Sequence, residues 1–113
     1  MSALAVAVVT AYVATCSGCS GRTASGLLAD HRLDLVAASR EYRLGSCVSM
    51  EFEPGSWRTF LVADRGGALR SGAIDLLVSS RKRAVAWGRR TLSIRVVSCP
   101  ERLRRTWASR PRR

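Results

Sequence analysis

The residues able to do chemistry are few. Eight acids stand against nineteen Lys+Arg and one histidine, and two of the acids are in unusual company. Asp75 lies between Ile74 and Leu76, and an ionised carboxylate in an apolar strand is costly without partners. Burial there raises a carboxyl pKa, and a second ionised acid nearby raises it further. Such a group can hold a proton and deliver it, which is general-acid chemistry. An arginine such as Arg65 or Arg70 would instead make Asp75 half of a structural ion pair. Asp64 stands eleven residues earlier, just before Gly66-Gly67. An aspartate there ordinarily caps a turn through side-chain to backbone hydrogen bonds.

The four cysteines, Cys16, Cys19, Cys47 and Cys99, are the other reactive set. Cys16-Ser-Gly-Cys19 has the spacing of half a zinc site, but a structural zinc site usually has a second close pair. Cys47 and Cys99 are far apart, and His31 is the only histidine. We therefore read the cysteines as disulfides or buried thiols and expect no metal or cofactor. Two disulfides allow three connectivities, and all three stay open.

These residues must be positioned by one small domain, since 113 residues leave room for a single core. Leu4 to Val13 is apolar and β-branched without strong alternation, like a strand covered on both faces. The absence of a preceding Lys or Arg argues for a strand over a targeting segment. Cys16 to Gly26 is a turn-rich loop, and Leu33 to Ala38 is a second apolar stretch. Ser46 to Phe52 alternates, Glu53-Pro54-Gly55-Ser56 is a hairpin-type turn, and Trp57 to Ala63 returns. Ile74 to Val78 is a short strand. Ser79-Ser80 can cap a helix running to Trp87, with Gly88 as its stop. Thr91 to Ser98 is the last strand. This predicts an all-β fold, a six-stranded barrel with one short helix over residues 1–99, followed by a basic tail over 100–113.

Several segments, taken in order, resemble one family. They are Thr10-Ala11-Tyr12, Cys16-Ser-Gly-Cys19, Thr23-Ala24-Ser25-Gly26, Val36-Ala37-Ala38 and the Leu44-Gly45 turn. Val62-Ala63-Asp64-Arg65-Gly66-Gly67-Ala68-Leu69, Ile74-Asp75-Leu76 and Ala84 to Gly88 complete the set. The pattern resembles the three-aspartate (3D) domain and the core of MltA-type lytic transglycosylases, within the double-psi β-barrel group that includes rare lipoprotein A. The resemblance implies a six-stranded double-psi barrel that cleaves peptidoglycan glycan strands without hydrolysis, leaving 1,6-anhydromuramyl ends. It implies catalytic roles for Asp75 and Asp64. It places the Thr23–Gly26 loop, with Thr23 and Ser25, along the substrate groove, and Ser39, Gly66 and Gly67 at motif positions beside it; Tyr12, between the first strand and the cysteine loop, and Trp57, beside a turn, are further groove candidates by their own positions. The family's first aspartate falls at Ser39, so two of its three aspartates are present, and Arg65 stands where a threonine is common. The alternative is a non-catalytic glycan-binding or phage virion module on the same barrel.

Charge adds a partner class. The net balance is +11, and the stretch from Pro100 to Arg113 holds six arginines and one acid. A basic surface of this kind suits an anionic polymer. The sequence lacks the aromatic interleaving of single-strand nucleic-acid binders and any recognised DNA motif, so no specific nucleic acid is expected. No apolar run reaches the length of a membrane span. The expected partners are peptidoglycan glycan strands or another anionic wall polymer, together with other wall or virion proteins. The expected location is extracytoplasmic or virion-borne. Trp57, beside a turn, offers a ring for stacking on sugar, whereas Trp87 on the helix is read as core.

Overall fold

A computed structural model describes residues 4–14, 20–66 and 70–111. Six strands form a closed barrel: β1 (Leu4–Tyr12), β2 (Leu35–Ala38), β3 (Cys47–Glu53), β4 (Ser56–Arg65), β5 (Ile74–Leu77) and β6 (Arg90–Val97), in the spatial order β1-β5-β2-β4-β3-β6. The pairs β1·β5 and β2·β4 are parallel and the others antiparallel. Closure leaves no open sheet edge to template aggregation.

Alternation sorts the side chains into two layers. Val9, Val36, Val48, Met50, Phe60, Val62, Ile74 and Ile94 fill the interior. Leu35, Cys47, Leu61, Ala63 and Leu77 point outward into a second cluster with Leu27 and Leu103. The β3–β4 turn closes on Gly55, whose φ of 79° suits glycine, and whose amide donates to Glu51 Oε2 at 2.8 Å. Helix α1 (Arg81–Trp87) starts at Ser80, whose hydroxyl accepts from the Arg83 amide, and stops at Gly88. The Trp87 indole donates to the Val9 carbonyl at 3.0 Å and its ring packs on Phe52, so Trp87 is a packing residue.

Two expectations are corrected. The first is that β1 is covered on both faces. Ala7 and Val9 are buried, but Val6 is 67% exposed, so β1 presents an open outer face. The second is that one helix is followed by a tail. Residues after Pro100 form a second helix, α2 (Glu101–Ala108), with Leu103 only 1% exposed. Glu101 pairs with Arg104 and Arg105 across successive turns, which supports a helix. Arg102 reaches Asp34 at 2.8 Å. Cys47 and Cys99 form a disulfide just ahead of this helix, which ties it to β3. Cys16 and Cys19 lie outside the described residues. No helix among the described residues is long and apolar enough to cross a membrane.

Candidate functional site

The two singled-out aspartates lie in one transverse row. Thr10 on β1 pairs with Asp75 on β5, Asp75 with Ala37 on β2, and Ala37 with Asp64 on β4. The row thus crosses four neighbouring strands, with Ala37 between the acids. Two strand spacings separate their backbones, roughly 10 Å. Asp75 faces outward by simple alternation, since Ile74 and Leu76 fill the interior. Asp64 does not follow that rule, because Phe60 and Val62 point inward and strict alternation would send Asp64 inward too. A register shift opposite Val36/Ala37 inserts Ala63 as an extra residue. This β-bulge re-aims the chain, so Ala63 and Asp64 both face out.

The loop over residues 20–29 sits on this bulge. The Ser25 amide donates to the Ala63 carbonyl at 3.1 Å, and the Ala24 amide donates to Asp64 Oδ1 at 2.7 Å. The Tyr12 hydroxyl donates to Asp64 Oδ2 at 3.2 Å, and the Arg65 amide donates to Oδ1 at 2.9 Å. Three donors from three segments therefore fix the Asp64 carboxylate. Burial, followed by the charge of Asp64 and their hydrogen bond, holds the Tyr12 phenol well above its ordinary range, so it stays a neutral donor. Among the described residues Asp75 has one hydrogen-bond partner, the Thr10 hydroxyl at 3.0 Å. Its pKa is raised, first by burial and then by the charge of Asp64, with the Thr10 hydrogen bond opposing. Neither Arg65 nor Arg70 pairs with it: one Arg65 guanidinium nitrogen donates to the carbonyls of Ala38, Ser39 and Tyr42.

The other expected groove residues divide. Tyr12, Thr23 and Ser25 gather at Asp64. Thr23 is buried, however, and spends its hydroxyl on Ser25 and the Leu27 carbonyl, so it shapes the loop. Ser39 is buried at the end of β2, accepts from the Gly72 amide and donates to Glu41. The Glu41 carboxylate also accepts from Ser71 and the Gly72 amide. The Ser71 hydrogen bond leads the causes that lower the Glu41 pKa. Ser39, Glu41, Arg65 and Gly66 line a depression of about 540 Å³ at the barrel mouth. Gly67 lies outside the described residues. Trp57 is at the opposite end of β4 from Asp64, beneath Arg95, roughly 23 Å along the strand, and is not part of this site. Sequence reasoning gave no site role to Thr10 or the Ala24 amide. Thr10 was legible only if β1 is read as alternating, which puts Val6, Val8, Thr10 and Tyr12 on one face. Among the described residues no cluster of His, Cys, Asp and Glu could hold a metal ion.

These features define a small double-psi barrel with two acids on its outer wall, one tightly ligated and one with its pKa raised by burial. Among solved structures, a GH45 endoglucanase, EG27II, solved as a mutant in complex with cellobiose, has the same fold. It aligns with a TM-score of 0.60 at 18% identity over 92% of this chain and 86% of that one. In sequence, the chain is 34% identical over 92 residues to the putative cell wall shaping protein YabE of Bacillus subtilis (strain 168), covering 79% of this chain and 22% of that protein. It is 35% identical over 92 residues to the cell wall-binding protein YocH, covering 79% and 31%. It is 32% identical over 94 residues to the SPbeta prophage-derived uncharacterized protein YorM, covering 77% and 39%. Both are from the same organism. The chain therefore spans less than two fifths of the length of each relative. No protein-family model matches the chain.

Proposed function

We propose that this barrel acts on the glycan strands of the bacterial cell wall, as a lytic transglycosylase of the 3D/MltA type, with Asp75 carrying the proton. One observation carries the reading. Asp75 sits on an open barrel wall with a raised pKa, two strands away from a firmly held second acid. The names of YabE and YocH, both concerned with the cell wall, support the substrate class and an extracytoplasmic place of action.

The chemistry needs one group in two steps. Protonated Asp75 gives its proton to the glycosidic oxygen as the bond to the anomeric carbon breaks. The carboxylate then takes the proton of the sugar's own 6-hydroxyl as that oxygen attacks the anomeric carbon. The proton is returned, no external water is consumed, and a 1,6-anhydro end remains. Asp64, fixed by Tyr12 and two backbone amides, lies where its charge can offset developing oxocarbenium charge. Mass spectrometry of purified sacculi after incubation should find anhydromuramyl ends. Asp75→Asn should abolish their release, since general acids contribute about 10²- to 10⁴-fold, while the fold is kept. Normal release from that variant refutes the assignment.

A second reading is a non-catalytic wall-binding module. Ser39 favours it, because the 3D pattern has an acid there, and so does the printed name of YocH. Sedimentation with sacculi without any released fragments would select this reading.

A further inference from the structure

The open outer face of β1 leads into the site. Val6, Val8 and Thr10 line a depression of about 480 Å³, walled on one side by Arg70–Ala73 and on the other by Arg89 and Thr91. Its far end is Thr10, the residue that hydrogen-bonds Asp75. The floor is apolar, and Val6 is 67% exposed where a barrel wall facing only water would carry polar side chains. The walls are cationic. Arg70 and Arg89 are exposed, and neither forms an ion pair among the described residues, whereas Arg32, Arg58, Arg102, Arg104 and Arg105 do. An apolar floor suits the flat faces of sugar rings, and a guanidinium on each wall suits carboxylates projecting from them.

We infer that this depression is a subsite of the glycan groove, in which Arg70 and Arg89 select strands bearing carboxylate substituents over neutral strands with the same sugar backbone. The inference rests on the glycan reading above and names what that site discriminates. A groove with β1 as its floor runs from Val6 to Thr10, roughly 13 Å, and delivers the strand to Asp75. The free lactyl carboxylates of a peptide-stripped muramyl glycan meet the two guanidinium groups on the way.

The test compares two soluble probes of equal length. One is a peptide-stripped muramyl glycan that keeps its lactyl carboxylates; the other is a neutral chitooligosaccharide. Calorimetric titration of the wild-type chain should show tighter binding of the first, by about tenfold. Arg70→Gln with Arg89→Gln should erase that preference, bringing the affinity for the muramyl probe down to that for the neutral one, and flatten the salt dependence. Arg81→Gln with Lys82→Gln, on exposed helix α1, controls for general charge and should leave the preference intact. Equal affinity of the wild type for both probes overturns the inference while sparing the glycan reading. So does an equal loss in the α1 control. Loss of binding to both probes in the Arg70/Arg89 variant, with an unchanged melt, overturns the carboxylate role. Binding of neither probe by the wild type overturns the inference and the glycan reading together.

Discussion

Replacing both Cys47 and Cys99 with alanine should cost the folded chain about 4 kcal/mol. The bond closes a loop with a sequence separation of 52. Loop-closure entropy gives about 3 kcal/mol for 15 residues and about 4.7 for 100. Cys47 is fully buried among Leu35, Leu61 and Leu103, so the lost sulfur adds a small cavity, about 1 kcal/mol at most. Domains of this size hold about 5–15 kcal/mol in all, so the loss is a large fraction of the total. In urea, followed by far-UV circular dichroism, it appears as a midpoint shift of roughly 2 M for a slope of about 2 kcal/mol/M. The double variant is a better test than a reductant, because it changes these two positions alone. A loss below about 1 kcal/mol would refute the reasoning, because packing alone would then hold the C-terminal segment.

The damage should also be local before it is global. Leu103 on α2 and Leu27 on the 20–29 loop share one cluster, and Pro111 lies over Gly26. The segment tethered by Cys99 thus backs the loop that offers Ala24 N–H to Asp64. Hydrogen exchange at Ser25 and Gly26, whose amides bond to Ala63 and Thr23, should accelerate in the variant ahead of the strands. Unchanged exchange there, alongside a lowered midpoint, would uncouple α2 from the site.

Two further outcomes follow from single positions. Because burial raises the Asp75 pKa, its carboxyl binds the proton more tightly in the folded chain than in the unfolded one. Its favourable contribution is therefore complete below the unfolded pKa and is lost as pH rises through the folded pKa. Asp75→Asn keeps an acceptor for Thr10 and avoids that loss, so it should melt at a higher temperature than wild type at pH 7. The gap should close near pH 3, and a gap independent of pH would contradict it. Gly45 has φ of +92°, and a Cβ there would lie 2.8 Å from Trp107 Cε2. Gly45→Ala should therefore cost about 2–4 kcal/mol in urea. Part of that should be recovered in a Trp107→Ala background, as a double-mutant cycle measures.

Much of the barrel was legible because local pattern and global fold agree. Ser46 to Phe52 and Thr91 to Ser98 alternate, Pro54-Gly55 can only turn, and Ser80 and Gly88 bracket α1. Helix α2 escaped notice because six arginines after Pro100 read as a solvated tail. The contrary signals were present. Leu103 and Trp107 are spaced i, i+4, Glu101 precedes Arg104 and Arg105 by one turn, and arginine is a good helix former. Composition outweighed periodicity there, and the disulfide that makes the packing effective depends on which cysteine meets Cys99. That pairing is a matter of fold, not spacing. Trp57 was misplaced for a related reason: proximity to a turn says nothing about which end of the barrel the turn occupies.

The two acids reach the same wall by unlike routes, and only one route can be read locally. Asp75 faces outward because the strand alternates, so its apolar neighbours already announced its position. Leu61-Val62-Ala63-Asp64 reads as equally regular, and regularity would bury Asp64 in the core beside Val62. The bulge that prevents this exists only in the pairing of β4 with β2, a parallel contact formed when the barrel closes. The unpaired bulge carbonyl of Ala63 is then taken by Ser25 N–H, and the turned-out carboxylate is taken by Ala24 N–H. The loop and the bulge therefore satisfy each other's polar groups. Asp64 is held so firmly because the cost of misplacing it is shared by a strand, a loop and Tyr12. Asp75, by contrast, is held among the described residues by the Thr10 hydroxyl alone.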